Sequence, residues 1–217
     1  MKLLVLGASG GCGRWATRLA AEAGHDVVAM VRPPTTFAAP AGVTVVRGSA
    51  LDPRDLSRIL DGRDAVISCV GAQRVNPRNP WSPLRPPLRV AELAARALVD
   101  ALGASTTCRV AAISAAGVGD SFDAVNGVMR FLVRHSTVGA MYADLATMEE
   151  IFRASRLDWT AVRPVTLIDA RPSTRARVIE RFRLSSVIAR ADVAAWLLET
   201  ATGGAEARSR TPMIGWW

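Results

Sequence analysis

At 217 residues, half of them apolar and 21% charged, the chain is long enough for one domain with a sizeable core. That balance excludes a disordered or fibrous protein. The net charge of +8 rests on 27 basic residues, of which Lys2 alone is lysine, and Tyr142 is the single tyrosine, so a mechanism that needs a catalytic lysine must use Lys2 or be abandoned.

Along the chain, short apolar runs alternate with amphipathic stretches, the pattern of βαβ units and a parallel sheet. Lys2 to Leu6 reads as a strand, Gly11 to Ala23 as a helix closed by Gly24, and Val27 to Val31 and Val43 to Val46 as strands. Asp52 caps a helix through Leu60, with Pro53 at its first position, where a missing N–H costs nothing. Ala65 to Val70 is a further buried strand. Leu88 to Leu102 repeats apolar residues near the helical period until Gly103 ends it. Arg109 to Ile113 is a strand, and a long helical region broken near Gly139 runs from about Asp123 to Ser155. Trp159 to Val162 is a strand stopped by Pro164, Ala191 to Thr200 a helix, and Pro212 to Ile214 a last strand.

Two stretches break this rhythm. Gly71 to Leu88 holds five of the twelve prolines with Arg74, Arg78, Arg85 and Trp81, and it follows a strand at the sheet end where α/β proteins bind ligands. Arg171 to Ser186 carries Arg171, Arg175, Arg177, Arg181 and Arg183 around Val178, Ile179 and Phe182. It reads either as part of a small substrate-side lobe, residues 165–190 of a single 1–217 domain, or as an exposed basic connector.

Arginine binds phosphate in a planar fork, which suits anionic ligands. The arginines are scattered, however, and no stacking aromatics are interleaved with them, so a nucleic-acid groove is not expected. Cys12, Cys69 and Cys108 are odd in number and lack metal-ligand spacing, which predicts reduced, buried thiols in a cytoplasmic protein and no metal site. The opening Met-Lys-Leu-Leu-Val-Leu-Gly is superficially like a signal peptide, but its apolar run is too short, and no stretch reaches the ~18 apolar residues of a membrane span.

The strongest signal is Gly7-Ala8-Ser9-Gly10-Gly11-Cys12-Gly13, between the first strand and the first helix. Gly7 leaves the strand in a tight turn, Gly10 lets backbone approach a pyrophosphate, and Gly13 lets the helix pack close to the sheet. Dinucleotide binding by Gly7, Ser9, Gly10, Gly11, Cys12 and Gly13 is the expectation. An acid at the end of the second strand would bond the ribose 2′-hydroxyl of NAD. Here Val28-Ala29-Met30-Val31-Arg32-Pro33 has none. Arg32, helped by Arg14, suits a 2′-phosphate and therefore NADP(H).

The G-x-x-G-x-x-G spacing, with Gly24-His25-Asp26-Val27-Val28-Ala29-Met30-Val31-Arg32, Asp64 to Gly71, Met148 to Ser155, Leu157 to Pro164 and Ile188 to Ala194, resembles the atypical short-chain dehydrogenase/reductases, specifically the NmrA-like and biliverdin/flavin-reductase-like group. The resemblance spans nearly the whole chain and implies an α/β, Rossmann-type doubly wound parallel sheet with a small C-terminal substrate lobe. It implies that Val70, Gly71 and Ala72 line the cofactor, that Pro164, Val165 and Thr166 sit near the nicotinamide, and that Ser114 is the active-site serine. The family's Tyr-x-x-x-Lys pair is broken: Tyr142 stands 28 residues after Ser114, but the fourth residue on is Ala146. An aspartate common after the third strand is replaced by Arg47-Gly48-Ser49.

The expected function is an NADPH-dependent reductase that passes hydride to a small conjugated acceptor, an enone or ketone, a quinone or a flavin, with Ser114 and Tyr142 as catalytic candidates and His135 as another possible acid. Two alternatives stand beside it: a redox-neutral isomerase, epimerase or cyclase that binds NADP(H), and a non-catalytic NADP(H)-sensing regulator. Partners are expected to be a small-molecule substrate, neither nucleic acid nor membrane, and the oligomeric state is not readable.

Overall fold

In a computed structural model, which describes all residues except 104–106, 174, 205–209 and 217, the chain folds around one eight-stranded sheet. The first half supplies β1 (Lys2–Leu6), α1 (Gly11–Glu22), β2 (Asp26–Val31), β3 (Thr44–Arg47), α2 (Pro53–Leu60), β4 (Ala65–Ser68) and α3 (Val90–Leu102). The second supplies β5 (Arg109–Ile113), α4 (Gly127–His135), α5 (Val138–Ala154), β6 (Asp158–Pro164), β7 (Thr166–Ile168), β8 (Ala176–Val178), β9 (Val187–Ala189), α6 (Arg190–Thr202) and β10 (Met213–Trp216). The sheet order is β3-β2-β1-β4-β5-β6-β10-β8, parallel except for β8. This is the doubly wound Rossmann order, which reverses at β1 and opens a crevice at the carboxyl ends of β1 and β4.

The strands are continuous apolar runs because both faces are covered. Leu3 and Val5 point to one core, shared with Val27, Ala29, Ile67 and the inner faces of α1 and α6. Leu4 and Leu6 point to the other, with Val28, Met30, Val66 and α2, α3 and α5.

The long helical region divides into α4 and α5 at Ser136–Thr137. Asn126 caps α4 by accepting from the Met129 N–H. A Cβ on Gly139 would stand 2.2 Å from the Val133 carbonyl oxygen, so the crossing of the two helices requires glycine there. α3 has no side-chain cap of its own. Its Ala91 and Glu92 N–H groups donate instead to the buried carboxylate of Asp144, which α5 carries across to it (2.9 and 2.8 Å).

The proline-rich stretch after β4 is a folded flap. Arg74 and Leu84 bridge antiparallel, and the Val75 and Arg85 N–H groups donate to Pro83 and Gln73. Its tip is fastened to the α4–α5 junction, where the Thr137 hydroxyl donates to Pro80 and Ser82 carbonyls and the Trp81 indole donates to His135. The stretch from Val165 to Arg190 holds three strands that periodicity did not reveal: β7 pairs in parallel with β9, and β8 extends the main sheet beyond β10. Arg171, Arg175, Arg177, Arg181 and Arg183 are all exposed on it.

Candidate functional site

The glycine loop lies at the crevice. Gly7 has a positive φ of 70°, and a Cβ there would stand 2.7 Å from the Cys69 carbonyl oxygen, so the turn out of β1 and its close approach to β4 both exclude a side chain. A Cβ on Gly13 would lie 2.1 Å from the Gly7 oxygen, because α1 begins directly against the turn. No side chain caps α1. Its first N–H groups are therefore open donors for an anion. Arg14 donates from Nε to the Ser9 carbonyl (2.8 Å), bracing the loop.

From this loop a cleft crosses the sheet edge. Gly7, Ser9, Gly10, Arg32, Val70 and Gly71 line it together, so six of the expected cofactor residues share one surface. Ala72, Gly11, Cys12, Gly13 and Arg14 do not line that cleft; Cys12 and Gly13 are buried beneath the loop. Sequence reasoning missed Met30, Gly48, Ala50, Leu51, Gln73 and Val90 on the same walls. Arg32 is exposed at the far end, and among the described residues no acid forms an ion pair with it. Arg47, the residue after which the family aspartate is missing, donates to the Thr35 carbonyl (3.0 Å) and so holds the loop that follows Arg32. Ser49 in the same segment accepts from the Leu51 N–H, while its own N–H donates to Asp55 of α2. A strand–glycine-turn–helix cradle with open donors and a cleft leading to an arginine fits an adenine dinucleotide.

Beyond β4, the carboxyl ends of β5 and β6 carry the other candidates. The Ala116 N–H donates to the Pro164 carbonyl (2.9 Å), Val165 is buried, and Thr166 begins β7 in an exposed position. Ser114 is buried, and its hydroxyl donates to Glu149 (2.6 Å). Glu149 is also buried and accepts from Arg163 Nε and Nη2 (2.9 and 2.5 Å), while Nη1 of Arg163 reaches Asp120. The Arg163 guanidinium beside Asp120 holds that carboxyl below its usual range. Tyr142 donates its hydroxyl to the Ala116 carbonyl (2.9 Å), and burial pushes the phenol up to about 12. A lysine one turn along would oppose that shift, but Ala146 stands there. His135 is exposed at the end of α4 against the Phe131 ring, and Lys2 begins β1 at the amino end of the sheet, opposite the crevice. Burial also pushes the Cys12 and Cys108 thiols up to about 11, so neither is a ready nucleophile at neutral pH. Among the described residues no helix is long and apolar enough to cross a membrane.

Comparison with known proteins agrees with this geometry. Over 79 residues the chain is 33% identical to a probable pinoresinol-lariciresinol reductase of Arabidopsis thaliana, covering 34% of this chain and 26% of that protein. Over 75 residues it is 39% identical to the photosystem II assembly factor Ycf39 of Synechocystis, covering 34% and 23%. The matched region thus spans about a quarter of the length of these curated relatives. The anaerobilin reductase ChuY of Escherichia coli O157:H7 has the same fold, with a TM-score of 0.73 and 23% identity over 99% of this chain and 96% of that one. A model of the NAD(P)H-binding family matches residues 7–203, and the chain belongs to that family.

Proposed function

We propose that the protein is an NADPH-dependent reductase that delivers hydride to a conjugated acceptor able to hold the resulting charge itself, a quinone or flavin in preference to an unactivated ketone. The carrying observation is that both candidate acidic hydroxyls have their protons committed: Ser114 to Glu149 and Tyr142 to the Ala116 carbonyl. Bound in the cleft, a reduced nicotinamide supplies the hydride. Gly7, Ser9, Gly10 and the N-terminal N–H groups of α1 would hold the pyrophosphate, Val70 and Gly71 the adenosine-side wall, and Arg32 the 2′-phosphate. Pro164, Val165 and Thr166 are proposed to border the nicotinamide, with residues 165–190 as the acceptor's side wall. Ser114 and Tyr142 keep lone pairs free and are proposed to accept hydrogen bonds, orienting the ring or the acceptor. The reductase activity named for the anaerobilin reductase of the same fold supports a reductase reading.

The test is steady-state NADPH oxidation against flavins, quinones and enones. Oxidation fastest with flavins or quinones is expected. Micromolar NADPH binding with no acceptor turned over would refute the reductase and favour the second reading, a redox-neutral or sensing NADP(H) binder, which the same committed protons also suit. For the cofactor, Arg32→Ala is expected to lower the preference for NADPH over NADH by about tenfold or more, the worth of one or two charge-assisted hydrogen bonds. Unchanged preference in paired dissociation constants would refute the 2′-phosphate assignment.

A further inference from the structure

We propose that Arg190 is a cofactor-positioning residue, a guanidinium clamp on the pyrophosphate of the bound dinucleotide, parked on Asp169 until the ligand enters. This rests on the dinucleotide lying in the glycine loop. Ile168 and Ala189 are the last paired residues of the β7–β9 ladder, so Asp169 and Arg190 leave it side by side, and Nη1 lies 2.8 Å from Asp169 Oδ1. Asp169 is 87% exposed, which makes it a solvent-screened and easily exchanged partner.

The stem of Arg190 crosses the phosphate loop. A Cβ built on Gly11 would stand 2.6 Å from Arg190 Cδ and 2.8 Å from its Nε. Gly11 is not one of the three glycines of the G-x-x-G-x-x-G pattern, and no positive φ requires it. The crossing arginine accounts for it. A guanidinium is thereby held beside the uncapped first turn of α1, where positive charge meets open N–H donors and an anion between them would interact favourably with both. The planar fork of donors matches two phosphate oxygens.

Calorimetric titration with NADPH and with 2′,5′-ADP, which carries a single 5′-phosphate in place of the pyrophosphate bridge, tests this. Arg190→Ala is expected to weaken NADPH at least tenfold and 2′,5′-ADP less than threefold, with Arg190→Lys recovering part of the loss. Gly11→Ala, which displaces the arginine without removing it, is expected to weaken NADPH in the same selective way while thermal unfolding stays at or above the wild-type temperature, since alanine suits a helix better than glycine. Asp169→Asn is expected to bind NADPH at least as tightly as wild type. Unchanged NADPH binding in Arg190→Ala, equal loss of both ligands, or an effect confined to the acceptor's KM overturns the clamp. A wild-type protein that binds NADPH alongside an unaffected Arg190→Ala refutes the clamp alone, whereas a wild type that binds neither ligand refutes the cofactor reading beneath it.

Discussion

Glu149→Ala should be among the most destabilising single changes available in this chain. Glu149 is 1% exposed and Arg163 2%, and the carboxylate takes three hydrogen bonds, one from Ser114 and two from Arg163. Truncation leaves the guanidinium inside the protein with Asp120 alone, and that side chain is 81% exposed and its charge screened. Removing one partner of a buried ion pair costs about 3–5 kcal/mol. For a domain of this size about 1 kcal/mol moves the melting temperature by roughly 2–4 °C, so a fall of about 6–20 °C is expected. Urea unfolding at neutral pH measures it directly, with the double variant Glu149→Leu/Arg163→Met as control. That pair replaces both charges with apolar groups of similar size and should be closer to wild type than Glu149→Ala. The acid limb adds a check. Asp120, with its carboxyl pKa depressed, contributes its stability above the unfolded pKa and loses it as pH falls through the folded one, so Glu149→Ala, leaning on Asp120, should be the more acid-labile protein. A loss below about 1 kcal/mol, or a double variant as poor as the summed single changes, would refute the claim that this pair is desolvated.

Three further outcomes are expected. Tyr142→Phe should cost about 0.5–1.5 kcal/mol by leaving the Ala116 carbonyl without its donor, and should lower kcat with a flavin or quinone less than tenfold; a hundredfold loss would mean that the phenol is the acid after all. Because the folded phenol sits at about 12 and a free one at about 10, wild type should lose stability as pH rises between those values, a decline that pH-dependent melting should find reduced in Tyr142→Phe. Asp144→Ala should cost about 1–3 kcal/mol by orphaning the Ala91 and Glu92 N–H groups, measurable by urea unfolding, and a change under about 0.5 kcal/mol would show that α3 does not depend on this cap.

The glycine turn and the cleft that opens from it were legible because they depend on local backbone chemistry. Gly7 needs its positive φ and Gly13 its close approach to the Gly7 carbonyl, both within seven residues, although the Cys69 carbonyl that also presses on Gly7 is distant in sequence; Arg32 follows directly where a strand ends at the cleft. The rest depends on contacts between distant segments. Nothing near Asp144 in sequence shows that it caps α3, and Glu149 reads as one more charge on a helix until β5 and β6 bring Ser114 and Arg163 to it. The strands β7, β8 and β9 are three residues each, too short for a period of two to register. The division of the long helix near Gly139 was visible as a glycine, but its cause, the Val133 carbonyl pressed against that position, was not.

The helix that carries Tyr142 has consequences for how this protein can change. α5 is a spar: Asp144 fastens α3, Glu149 fastens β5 and β6, and its amino end receives the flap through Thr137. Altering its inward polar residues therefore alters the frame before it alters the chemistry. Changes in the flap, whose Gln73 lines the crevice, have a freer route to altering the site than changes in those residues.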